Sequence, residues 1–69
     1  MAISLAEARR RANMTQQMLA DKLGVSRQAV SNWELGKNLP SIIVGKQIAA
    51  LLGVSLHDID FKKNGRSRS

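Results

Sequence analysis

Residues 15–37, TQQMLADKLGVSRQAVSNWELGK, constrain this chain more than any other part of it. Thr15 is a natural N-cap, and residues 16–23 place Leu19, Ala20 and Leu23 on one helical face. Gly24 stops that helix. Ser26 caps the next, which runs to Glu34 with Val30 and Trp33 inward. Two helices joined by so short a connection must cross steeply, and a small side chain is needed where they touch. Ala20 supplies it. Gly24 supplies a turn residue that takes a positive φ without strain. Val30 packs back on the first helix, and Leu19, Leu23, Val25 and Trp33 fill the joint.

The joint dictates which face of the second helix is left outside. With Arg27 at zero and about 100° per residue, Ser31 lies near 40°, Gln28 near 100° and Asn32 near 140°, while Ala29, Trp33 and Val30 lie near 200°, 240° and 300°. Arg27, Gln28, Ser31 and Asn32 therefore form one contiguous polar face. Arg bonds bidentately to guanine O6 and N7, and Gln and Asn do so to adenine N6 and N7. A helix fits the DNA major groove, entering with its N-terminal residues. On an arbitrary helix such a face would be a solvated surface. Set behind this joint, it is a candidate reader of base edges.

The chain as a whole predicts five short helices and no strands. Residues 3–12 form the first, stopped by Asn13, and 16–23 and 27–34 form the pair already described. Pro40 and the N-cap Ser41 open a fourth over 42–52, with an apolar stripe of Ile42, Ile48, Ala49 and Leu52, and Gly53 ends it. Ser55 caps a last helix over 56–61. Sixty-nine residues allow one domain at most. Residues 1–61 are assigned to it, and 62–69 to a basic tail expected to be disordered.

Composition removes several functions. There is no Cys, hence no disulfide framework, thiol nucleophile or Cys-based metal site, and the single His57 cannot form a His-rich one. No cofactor or metal is expected, and no catalytic residues: Asp58 and Asp60 suit a helix N-terminus better than a catalytic carboxylate pair. No apolar run approaches a membrane span, no membrane partner is expected, and no secretory signal is visible, so a cytoplasmic protein is expected. Trp33 and Phe61 are the only aromatics, which disfavours single-strand binding by stacking. Met14 and Met18 are expected as core filler. The net charge of +6 points to a polyanion, yet Lys62, Lys63, Arg66 and Arg68 supply +4 of it. The base-reading expectation therefore rests on the joint and its face.

The segment resembles the helix-turn-helix of the Cro and phage-repressor type, the XRE family. The matching residues are Arg9; Met14-Thr15-Gln16; Leu19-Ala20; Leu23-Gly24-Val25-Ser26-Arg27-Gln28; Val30-Ser31; Trp33-Glu34; Gly36-Lys37; Leu39-Pro40-Ser41; and Leu52-Gly53-Val54-Ser55. The resemblance implies an all-α, five-helix, lambda-repressor-like domain acting as a homodimer on double-stranded DNA, at a palindromic operator. It implies base contacts from Arg27, Gln28, Ser31 and Asn32, with Ser26 facing the groove and counted with the phosphate contacts. The other phosphate contacts implied are Gln16, Lys37 and Asn38. Arg9 and Glu34 would form a structural ion pair, and Arg10 and Arg11 would be solvated or weakly drawn to phosphate.

Three departures accompany the resemblance. Leu35 stands where the family usually has Asn, Gly45 replaces an inward Leu, and Ile43 and Val44 occupy positions expected to be polar. Either helix four is rotated or its outer face is an interface. Ile43, Val44, Leu51, Leu56 and Phe61 are the candidate dimer patch. The function expected is a sequence-specific transcriptional regulator of the phage-repressor or Cro kind. The alternatives are an antitoxin that represses its own operon and a protein-interaction adaptor that reads no bases.

Overall fold

The computed structural model describes residues 2–62. Its elements are a two-residue strand β1 (Ile3–Ser4), helices α1 (Leu5–Arg11), α2 (Gln16–Leu23), α3 (Arg27–Glu34) and α4 (Ile42–Leu52), a 3₁₀ turn (Leu56–Asp58) and a second short strand β2 (Ile59–Asp60). All but Lys62 of the proposed tail lies outside the described residues.

One local grammar starts and stops all four α-helices. Each begins at a Ser or Thr whose hydroxyl accepts a hydrogen bond from the amide three residues on: Ser4 from Glu7, Thr15 from Met18, Ser26 from Ala29 and Ser41 from Val44. This satisfies one of the otherwise unpaired donors of the first turn. Each ends at a residue with positive φ: Asn13, Gly24, Gly36 and Gly53. The amide of the following residue then reaches back to the last turn: Met14 to Arg9 O, Val25 to Ala20 O, Lys37 to Asn32 O and Val54 to Ala49 O. Three of these closing residues are apolar and pack against the core. The fourth, ending α3, is the exposed Lys37.

Leu5, Leu19, Ile48 and Val30 are the largest fully buried side chains, surrounded by Ala8, Ala20, Trp33, Ala49, Leu52 and Ile59. Ala20 and Val30 have no exposed surface, as a tight α2–α3 crossing requires. Gly24, at φ +73°, turns the chain between the two helices.

The structure corrects the sequence reading at both ends. Helix one begins at Leu5, and Ile3 and Ser4 instead pair in parallel with Ile59 and Asp60. The expected fifth helix is a single 3₁₀ turn, because β2 draws the chain into an extended conformation at Ile59. The class remains all-α, with four α-helices among the described residues.

Helix four is not rotated: Gly45, Ile48, Ala49 and Leu52 face inward. Ile42 leaves the predicted stripe. It sits about 120° from Ile48 on the helical wheel, beyond the buried edge, and is 73% exposed. Leu56 and Phe61 lie over Gly45, the Leu56 Cδ1 carbon 3.5 Å from where a Cβ would stand. An apolar cleft of about 200 Å³ remains there, bordered by Pro40, Ile42, Gly45, Leu56 and Phe61. Met18 is a further correction: it is 43% exposed rather than core filler, being on the outer side of α2, whereas Met14 packs against the core.

Candidate nucleic-acid interface

The outward face of α3 follows from what its inner face buries. Val30, Trp33 and Glu34 are buried, Arg27 and Gln28 are exposed, and Ser31 and Asn32 are half-buried. Gln28 Nε2 donates to Asn32 Oδ1 at 3.0 Å, one helical turn away. The pair still offers Gln28 Oε1 as an acceptor and Asn32 Nδ2 as a donor, which matches the acceptor–donor edge of adenine in the major groove. Arg27 begins the helix and carries the fork that suits guanine.

Behind this face runs a continuous polar chain. Arg9 Nε lies 2.7 Å from Glu34 Oε2, both side chains being about nine-tenths buried. Arg9 Nη2 reaches Glu34 Oε1 at 3.4 Å, and Nη1 donates to the Met14 carbonyl at 2.7 Å. Gln16 Nε2 donates to Glu34 Oε1 at 2.9 Å, and Arg27 Nη1 donates to Gln16 Oε1 at 3.3 Å. Glu34 is thus the only buried carboxylate among the described residues, and it collects one cation and one amide. Removing one partner of such a pair leaves a desolvated charge, at a cost of about 3–5 kcal/mol.

The expected phosphate contacts are distributed around the α2–α3 pair. Gln16 is half-buried at the start of α2, with its amide engaged as above. Ser26 is exposed, and its hydroxyl accepts from Ala29 N. Lys37 and Asn38 are exposed just beyond α3. The Lys37 backbone is fixed by its hydrogen bond to Asn32 O, so the ammonium departs from a defined point at the end of the helix. His57 is exposed, and the described residues hold no group of three or more metal-ligating side chains. Among the described residues, no helix is long and apolar enough to cross a membrane.

Sequence reasoning missed the Gln16 bridge between Glu34 and Arg27, since no spacing rule links residues 16, 27 and 34. It also missed the first N-cap. Ser4 followed by Glu7 has the Ser-x-x-Glu form, a signal that was legible but hidden by starting the helix two residues too early. Leu51, proposed for the same apolar patch as Phe61, instead borders a separate cleft with Lys22, Leu23, Gln47 and Ala50.

Comparison with known proteins places these features in a family. The helix-turn-helix family model matches residues 5–59. The chain is 49% identical over 47 residues to an uncharacterized HTH-type transcriptional regulator of Methanocaldococcus jannaschii, covering 68% of this chain and 71% of that protein. It is 38% identical over 64 residues to an uncharacterized HTH-type transcriptional regulator of Bacillus subtilis, covering 93% of this chain and 53% of the relative. It is 40% identical over 47 residues to the HTH-type transcriptional activator BcrR of Enterococcus faecalis, covering 68% of this chain and 23% of that longer protein. No solved structure gives a significant match. The matched span takes in all four α-helices, and the chain belongs to the XRE-type helix-turn-helix family, a family of DNA-binding proteins rather than enzymes.

Proposed function

We propose that this protein is a sequence-specific regulator of transcription that lays α3 in the major groove of double-stranded DNA. The observation that carries the reading is the exposed Arg27–Gln28–Asn32 face on a helix whose opposite side is locked by Val30 and Trp33. Arg27 is moreover tethered through Gln16 to the buried Arg9–Glu34 pair. Held on a rigid element, these side chains lose little conformational freedom when they meet a base. Arg27, Gln28 and Asn32 read base edges, and Ser31 borders them on the same face. Gln16, Ser26, Lys37 and Asn38 position the domain on phosphates.

The protein binds as a homodimer to a palindromic site of phage-repressor or Cro type. The start of α4 supports this: Ile42 and Ile43 are 73% and 72% exposed beside the Gly45 cleft, so one surface carries both an apolar projection and an apolar hollow. A two-fold interface needs that self-complementarity.

Selection from random duplex DNA at physiological salt tests the proposal. A palindrome with half-sites about 34 Å apart is the expected outcome, and unselective recovery overturns it. On the selected sequence Arg27→Ala should cost about 1–3 kcal/mol and relax preference at one base pair. Equal losses on selected and random DNA would remove Arg27 from the base-reading set.

A further inference from the structure

Beside the reading face, a second surface feature opens between α1, α2 and α3. It is a cleft of about 170 Å³ with Arg10, Gln16 and Ser31 at its rim and Arg9 and Glu34 at its floor. A water molecule occupies about 30 Å³ of liquid, so the space admits a phosphodiester group with some of its hydration. The floor charges are spent on each other, because both Glu34 oxygens accept from Arg9 and one also accepts from Gln16. The charge at the rim is Arg10. Its side chain is 56% exposed, and its one ion-pair contact is loose, 3.8 Å from Glu7 Oε1. Glu7 is shared with Arg11, whose Nε is closer at 3.0 Å. Arg10 is thus the guanidinium of the arginine run that faces the cleft while being weakly held.

We propose that this cleft seats a backbone phosphate of the bound duplex, flanking the bases that α3 reads. Arg10 is the charged donor, and the second amide hydrogen of Gln16 and the Ser31 hydroxyl are the neutral ones. The assignment rests on the placement of α3 in the groove. It gives Ser31, at the edge of the reading face, a phosphate rather than a base. It also gives Glu7 a role as a competitor that holds Arg10 loosely until DNA arrives.

The test is the salt dependence of binding by the full chain, measured by fluorescence anisotropy on a labelled random-sequence duplex and on the selected duplex. Each neutralised phosphate contributes about one unit to the slope of log K against log salt. Arg10→Ala should lower that slope by about one and weaken both duplexes several-fold and equally. Arg10→Lys should restore the slope, since a phosphate accepts a point charge. Ser31→Ala should weaken both duplexes without changing the slope, and Glu7→Gln should tighten both. An unchanged slope for Arg10→Ala, with Lys37→Ala still lowering it, overturns the cleft while leaving the major-groove reading standing. Absence of duplex binding by the unsubstituted protein overturns the reading itself. An unchanged circular-dichroism melt for Arg10→Ala confirms that the comparison is between folded proteins.

Discussion

At the junction of α1, α2 and α3, Glu34 is buried, and its polar contacts belong to a paired chain that runs from Arg9 through Gln16 to Arg27. At the start of α4, Ile42 and Ile43 stand in solvent, and a glycine occupies the inward position between them and Ile48. Both regions use the same hydroxyl caps, so the difference lies in what each helix does with its sides. The junction spends buried polar groups to hold one geometry. The α4 end leaves apolar surface unspent. A carboxylate buried at that depth is tolerated only with full hydrogen-bonding, and the arrangement that satisfies it also fixes the first residue of the reading helix. The α4 end has no such demand on it.

The contrast can be broken most sharply at Arg9. Arg9→Ala should destabilise the fold by about 3–5 kcal/mol, an amount comparable to the whole stability of a small domain. Its thermal transition, followed by circular dichroism without DNA, should fall by more than about 10 °C or vanish. A melt within a degree or two of the unsubstituted protein would show that the junction is dispensable.

Gly45 tests the opposite region, and with the opposite sign. Its backbone φ is ordinary, and a Cβ would meet Leu56 Cδ1 at 3.5 Å, a normal contact. Gly45→Ala should therefore stabilise the protein by about 0.5–1 kcal/mol, through better helix propensity and a narrower cleft. A loss of stability in denaturant titration would mean that the cleft requires the glycine.

The smallest effect is expected on the outer face of α1. Arg11→Ala removes an exposed i, i+4 partner of Glu7 and should change stability by about 0.5 kcal/mol or less. Against Arg9, two positions away, it separates the energy of a buried pair from that of a surface one. A change as large as that of Arg9→Ala would erase the distinction.

The helix boundaries of α2, α3 and α4 were legible because punctuation is local: a hydroxyl before each helix and a left-handed residue after it. The α2–α3 crossing was legible because Ala20, Gly24 and Val30 admit few other arrangements. The β1–β2 pairing was not, since two-residue strands have no periodicity and their partners lie at opposite ends of the chain. Ile42 was misplaced for a related reason. The angular rule that put Ile48 and Leu52 inside tolerates it at the margin, and only the packing of Leu56 and Phe61 decides how far the buried stripe extends. Gln16 marks the limit at the site. An expected phosphate contact proved also to bridge two elements, a double use that depends on three-dimensional proximity alone.

The register of Ile3 against Ile59 has a consequence for how the chain acquires its structure. Each helix cap forms within a few residues, whereas the strand pair closes a loop that contains every helix, and closure entropy grows with loop length. Long-range pairings of this kind are secured after local ones. The strand ladder should therefore be the last hydrogen-bonded element to form on refolding and the first to open. In native-state hydrogen exchange its amides should exchange before those of Val30 and Ile48, marking the order in which the molecule comes apart.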